Sequence, residues 1–427
     1  MREGQEEFRK GAESIQWPCQ PNGAEQEASA GTGETNVKGE WNRREFVKRT
    51  CLGGAAILLG STHGYGSEGV AMPPAPPIDV HELKPAKASP LAMPGLYPGR
   101  VVEMADKRSI VGNRVSQPVI KEMLDRGMRE LTGESSSKSA WAKFIEPSDV
   151  VGIKINPSGA PACCSSPEIV REIVAGIQSA GVPVENILVF DRYGDEMETG
   201  SYQALMPIGV RVIGIEPGKL DATGYDGGVY CEASFFGEWE TRSYMASIVT
   251  QRLTKIVNVP TMKDHSASGV TGCLKNLGYG TFNNVARSHV EPFSFTNPLI
   301  GVMCSMEPLR SKSVLNIMDG TRMVWHGGPL TQLQEFIYQA GLVLLSTDPV
   351  AMDSIELQSV EKKRLEMGAP SLWERNPSSI TRNGDEFYHD ASKNLFYRMP
   401  GHIAAAGKLG LGVSDVKKID YRQIALS

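Results

Sequence analysis

Lys154, Lys263, Lys275, His265, His289, Asp191 and Asp319 are the side chains with which this sequence could do chemistry. Lys263 and Lys275 are separated by a loop rich in Gly, Ser and Thr. Brought together with Lys154 beside backbone amides, they would form a site for a carboxylate or a phosphate. Each lysine read alone is equally a solvated cation or the partner of a nearby acid. His265 and His289 are candidates for a metal ligand or an acid–base pair, because imidazole does either near neutral pH. Their spacing is too long for a local metal motif such as H-E-x-x-H, so only the fold can join them. Asp264, next to His265, reads as an orienting carboxylate or a ligand. His326 lies in Trp325-His326-Gly327-Gly328-Pro329, where a site rim and a plain loop are equally good readings. Asp191, Asp319 and Asp353 offer hard oxygen ligands or a general base. Asp348 precedes Pro349 and reads as a helix cap. Cys273 reads first as a packed thiol and second as a soft ligand beside His265.

These residues must be positioned by alternating strands and helices. Residues 149–155 (DVVGIKI) form a β-branched run fit for a buried strand. Ser166-Pro167-Glu168 then opens a helix with a capping residue, a proline at the first helical position and an acid in the first turn. Ile169, Val170, Ile173, Val174 and Ile177 give that helix one apolar face, and Gly181 ends it. The next strand covers 186–190 and closes on Asp191-Arg192, completing a βαβ unit. Further strands are expected at 210–213, 255–259, 314–318 (ending at Asp319-Gly320), 341–345 and 418–421. Helices are expected at 245–253, from Asp348-Pro349 to about 361, and at 403–409. The fold class is therefore α/β, a mainly parallel sheet flanked by helices, as one large domain or two interleaved lobes. Ligands of such sheets sit beyond the carboxyl ends of the strands. Asn156, Asp191, Lys263, Asp319 and Asp348 fall at or just past those ends.

Val259-Pro260-Thr261-Met262-Lys263-Asp264-His265, followed by Gly269-Val270-Thr271-Gly272-Cys273-Leu274-Lys275-Asn276-Leu277-Gly278, resembles the central signature of the domain of unknown function 362 family. Val151 to Asn156, Asp191, His289, Asp319-Gly320, Gly327-Gly328-Pro329, Asp348-Pro349-Val350-Ala351-Met352-Asp353 and the late GKLGLG segment fit its pattern in order. The resemblance spans about residues 100–424. Many members are linked to ferredoxin-like iron–sulfur domains, so the resemblance implies a redox setting. This chain departs from those members by lacking cysteine clusters. The candidate positions are then His265, His289 and Asp191 for catalysis. Lys154, Asn156, Lys263, Lys275, Asn276 and Asp319 are the candidates for ligand binding, and His265, His289 and Cys273 for a metal.

Asn42-Arg43-Arg44-Glu45-Phe46-Val47-Lys48, followed by the apolar stretch 51–60, has the pattern of a twin-arginine export signal. The apolar stretch is far short of the ~20 residues of a spanning helix, so no stable transmembrane anchor is expected. Residues 1–41 read as a disordered polar leader and 42–71 as the signal, with small residues Gly69-Val70-Ala71 before Met72. Eight prolines in 72–98 suggest a tether, and 99–427 is the α/β body. Periplasmic or extracytoplasmic location follows, with the Tat export machinery as a partner.

The 427 residues are 41% hydrophobic and 22% charged, an ordinary globular balance. A net charge of -5 without Lys/Arg runs in the body argues against nucleic-acid binding. Seven cysteines contain no C-x-x-C, so there is no self-contained iron–sulfur motif. The adjacent Cys163-Cys164 pair reads as two loop thiols or as a soft-metal or redox site. No early G-x-G-x-x-G, Walker A or G-x-S-x-G is present. The expected function is an exported protein binding a metal or an anionic cofactor or substrate in a Lys/His/Asp-lined cleft, for a redox-related reaction. The alternatives are a non-enzymatic binder of an anionic small molecule and an accessory subunit of an exported redox enzyme.

Overall fold

In the computed structural model, the residues described are 70–85, 88–218, 220–235 and 240–427. The twin-arginine stretch and the leader before it lie outside them. The elements that build the site are β1 (Arg100–Ala105), α1 (Gln117–Thr132), β2 (Val151–Lys154), α2 (Pro167–Ser179), β3 (Ile187–Asp191), β4 (Arg211–Gly214), β5 (Lys255–Asn258) and β6 (Thr261–His265). They continue with α3 (Gly272–Thr281), α4 (Thr296–Ser305), β7 (Ser313–Val324), β8 (Ile337–Ser346), α5 (Pro349–Glu366), α6 (His402–Lys408) and β9 (Asp420–Ala425).

The central sheet runs in the order β9-β1-β8-β7-β5-β2-β3-β4, and β6 lies further along β7. β5 is parallel to β7 and β2, and β3 is parallel to β2 and β4. Strand β8 runs against its neighbours, pairing antiparallel with β7 and β1, and the short strand Gly269–Val270 is antiparallel to β6. The sheet is thus mixed but largely parallel. β2 and β3 are buried at every position, as an uninterrupted apolar run requires when helices cover both faces. One core cluster packs α1 and α2 on one face through Met123, Leu124, Ile169, Val170 and Ile173. The other packs α3, α4, α5 and α6 on the opposite face through Leu274, Leu277, Leu299, Ile355 and Ile403.

Local rules account for the helix starts. Asp348 caps α5, its Oδ1 accepting from the Ala351 amide at 2.8 Å. Ser166 occupies the cap position of α2 but makes no side-chain cap bond. Its own amide donates to Asp319 Oδ2 at 2.7 Å.

Three expectations need correction. β7 does not end at Asp319-Gly320 but continues to Val324 through an irregularity between Gly320 and Arg322. A bulge lets a strand pass a glycine that otherwise reads as its end, so Asp319 is a mid-strand residue. The helix expected at 245–253 is a strand, Arg242–Ala246, followed by one irregular turn, Ile248–Arg252. Pairing with Tyr225–Glu232 wins there over the helical period. The strand expected at 341–345 is longer and antiparallel to its neighbours. Within the proline-rich segment, Asp79–His81 adds a third strand to this small sheet, and Met93 is buried.

Candidate functional site

The carboxyl ends of β2, β3 and β5 carry a continuous polar network. Lys154, fully buried at the end of β2, donates to Asp191 at the end of β3. It also donates to the Ile155 carbonyl at 2.8 Å and to Asn276 Oδ1 at 3.0 Å. Asn156 Nδ2 donates to the same Asn276 oxygen at 3.1 Å. Asn276 passes the chain on to Asn258 Oδ1 at 2.8 Å, and Asn258 to Asn316 Oδ1 at 2.9 Å. Burial drags the Lys154 ammonium below its ordinary value, while the Asp191 charge and hydrogen bond pull it back up. Asn276 is therefore the hub that holds the lysine and two strand-end amides in register.

Lys263 and Lys275 differ from Lys154 because, among the described residues, neither makes an ion pair with a carboxylate, Glu196 acting on both only from a distance. Lys263 has no exposed surface, and its Nζ meets only carbonyls, Ser158 at 2.6 Å and Pro329 at 3.4 Å. Burial lowers its pKa, against the pull of Cys163 and Glu196. Lys275, half-buried on α3, lies 5.0 Å from the Tyr279 ring centre and makes no ion pair. Desolvation, then the charges of Lys263, Lys154 and Arg192, bring it down to about 7.

His265 and His289 come together, with ring centres 5.7 Å apart. Both are held neutral: burial and then the Lys275 charge depress them, His289 to about 3 and His265 well below its ordinary value. His265 Nδ1 accepts from the Ala267 amide at 3.1 Å and from the Ser268 amide at 3.4 Å. A neutral ring that accepts at Nδ1 carries its proton on Nε2, making that atom a donor. A metal-ligating histidine shows the reverse pattern, donating from one nitrogen and binding through the other. Among the described residues, no group of three or more His, Cys, Asp or Glu side chains is placed to hold a metal. The residues present thus do not fit a resident metal ion.

The other predicted positions have holding roles. Asp319 Oδ1 accepts from Thr321 Oγ1 at 2.6 Å and from the Thr321 amide at 3.0 Å, while Oδ2 takes the Ser166 amide. Oδ1 thus braces β7 across its irregularity, and Oδ2 ties β7 to the start of α2. Cys273 points into the apolar core, its sulfur 3.3 Å from Met352 Sδ, and burial raises its thiol. His326 is buried between Phe387 O at 2.7 Å and Arg364 at 3.3 Å. Asp353 takes the first amides of α3, Cys273 at 2.5 Å and Leu274 at 3.0 Å. All five cysteines among the described residues are free thiols. Burial holds Cys163 up to about 12 and Cys164 up to about 11, so both stay protonated.

Sequence reasoning missed Glu196 and Asn258. Glu196 accepts from Ser158 Oγ at 2.6 Å, and burial with the Asp191 charge raises its pKa. It sits in the first helical turn after β3, beyond a strand end, and that position was its only signal. Gly280 is a further requirement: a Cβ there would stand 2.3 Å from both Cε and Nζ of Lys154. We expect Gly280→Ala to push Lys154 off Asp191 and cost about 2–4 kcal/mol. Chemical denaturation checks this; a change under about 0.5 kcal/mol would mean the lysine has other room.

A comparison with curated proteins finds no match. Residues 151–358, from the first residue of β2 into α5, match the family profile described as Domain of unknown function (DUF362), and these are the segments that supply Lys154, Asp191, Lys263, His265, Lys275 and His289: the chain carries a DUF362 domain.

Proposed function

We propose that the polar cluster at the carboxyl ends of β2, β3 and β5 binds an anionic small molecule. One observation carries this reading: among the described residues neither Lys263, which meets the Ser158 and Pro329 carbonyls, nor Lys275, which lies over the Tyr279 ring, makes an ion pair, and Glu196 acts on both only from a distance. Unpaired buried cations cost stability, and an anion between them recovers that cost on binding. The Nε2–H of His265 supplies a donor of the kind such a ligand needs. The arginine pair at 43 and 44 with the short apolar stretch after it supports a second part of the proposal, that the protein works outside the cytoplasm.

Sulfate, which does not titrate near neutral pH, is a suitable probe. Free Lys275 is largely neutral above about pH 7. A bound anion raises its pKa, so binding at pH 8 takes up to about one proton per site. At pH 6 the lysine is already charged and no uptake follows. Affinity accordingly weakens as pH rises through 7. Calorimetry in buffers of different ionisation heat reads the uptake directly. Lys275→Met should abolish it, and Lys263→Met should weaken binding about tenfold or more. Equal sulfate affinity in both variants and the parent would defeat the proposal.

A further inference from the structure

Lys275 stands apart from the other two lysines of the cluster. Lys154 is paired with Asp191, and Lys263 has no exposed surface. Lys275, in the first turn of α3, is half-buried and makes no ion pair among the described residues. It alone of the three combines access from solvent with freedom from a carboxylate. Rings rather than acids surround it. Its Nζ lies 5.0 Å from the centre of the Tyr279 ring, one turn further along α3. The His289 ring stands edge-on to Tyr279, with centres 5.7 Å apart, and edge-on to Phe396 at 6.0 Å. His265 comes next, 5.7 Å from His289.

The charges that act on Lys275 are Lys263 on β6, Lys154 at the end of β2, Arg192 just past β3, and Glu196 in the helical turn that follows. Three cations and burial outweigh the one distant acid. A good part of Lys275 is therefore free amine near neutral pH, where an ordinary lysine is almost wholly ammonium. A desolvated lysine beside other cations is the kind of amine that attacks a carbonyl carbon. The imidazoles next to it are neutral, and Nε2–H of His265 is a donor for an oxygen.

We infer that Lys275 is a nucleophile that forms an imine with a 2-oxo acid. The inference rests on the anion-binding reading and names the class of anion. A 2-oxo acid carries its carbonyl one bond from its carboxylate, so the lysine cluster that draws the anion also brings the carbonyl carbon to the amine. The Lys275 nitrogen adds its electron pair to that carbon, and the carbonyl oxygen takes the proton that the nitrogen gives up. The hydroxyl so formed then leaves with the second nitrogen proton as water, and the C=N bond closes. No electrons are gained or lost, and no further reactant is needed. Protonation of the imine is offset by the substrate's own carboxylate.

Incubating the full chain with pyruvate and cyanoborohydride tests the assignment, because hydride reduces the imine to a stable carboxyethyl amine that peptide mass mapping locates. Lys275 is expected to carry the label well ahead of exposed lysines such as Lys121 and Lys138. Acetone, a carbonyl without an anion, should label Lys275 about tenfold less or weaker still, and excess sulfate should suppress the pyruvate label similarly. Both comparisons use the parent protein, so they do not depend on a variant that folds. Lys275→Met should remove the label at that position and leave the exposed lysines as before. Pyruvate label spread over exposed lysines without preference for Lys275 would overturn the inference. If sulfate still binds in that case, the anion-binding reading stands without the imine. Equal labelling of Lys275 by pyruvate and acetone, with no binding of sulfate, would overturn the anion-binding reading and the 2-oxo acid with it.

Discussion

Asp191→Ala lowers stability by about 3–5 kcal/mol, because it strands a buried ammonium. Lys154 has no exposed surface, and among the described residues Asp191 is its only charged partner within contact distance. The Ile155 carbonyl and the Asn276 amide remain, but they are neutral dipoles. Gly280 packs directly on the end of the lysine, so the side chain has no easy route to water. The deficit should narrow with rising pH: a lysine whose folded pKa is depressed carries its full penalty at low pH and sheds it by deprotonating on the way to 10.5. Adding Lys154→Met to Asp191→Ala removes the stranded charge, so the double variant should be more stable than Asp191→Ala alone. Urea denaturation at pH 6 and 9 reads all three outcomes. A loss below about 1 kcal/mol at pH 6 would show that the pair is not the hub described above.

Glu356→Gln should stabilise the protein, and by more in alkali than in acid. Glu356 is fully buried on α5, with Oε1 accepting from the Lys263 amide at 3.0 Å and Oε2 without a partner. Burial, then the Asp353 charge, raises its pKa well above the ordinary range, and Asp353 itself is held up to about 7. Such carboxyls are protonated in the folded state while the unfolded chain has already released the proton. Their contribution to stability is complete below about pH 4 and is lost as pH rises through the folded value. Glutamine keeps the acceptor for the Lys263 amide and has no proton to lose. The gain is expected to be near zero at pH 5 and about 1–4 kcal/mol at pH 9. Thermal melting at pH 5, 7 and 9 checks it. A gain at pH 5 as large as at pH 9 would mean the effect comes from packing rather than from charge. The buried neutral histidines act oppositely on the acid side. His289, His326 and His402 are depressed to about 3–4, so their share of stability falls as pH drops below 6.5.

The elements that were legible in the sequence are those whose signal is local. The apolar stripe Ile169, Val170, Ile173, Val174 and Ile177 faces the core in α2, and Asp348 caps α5 as a residue before proline should. The strand-end reading picked out Asn156 and Asp191, which the fold places in one network with Lys154 and Asn276. It failed for Asp319, because a bulge is a pairing event between strands and leaves no mark in one strand read alone. It also failed for 245–253, where the partner strand decides the conformation. Glu356 was invisible for a different reason. Its importance lies in the charges it meets, Asp353 one helical turn earlier and Lys263 far away in sequence. A buried acid on an otherwise ordinary helix carries no signature of the partner that a distant strand brings to it.

Asp353 against the first amides of α3 has one more consequence. A helix start is ordinarily an electropositive end that attracts anions through its dipole. Here that end is already turned onto a side chain of α5. An anion at the proposed site would therefore meet the ammonium groups of Lys263 and Lys275 rather than the free amides of this helix start. Binding of the proposed kind depends on ionic strength, because half-buried Lys275 feels dissolved counter-ions, and raising the salt concentration should weaken it.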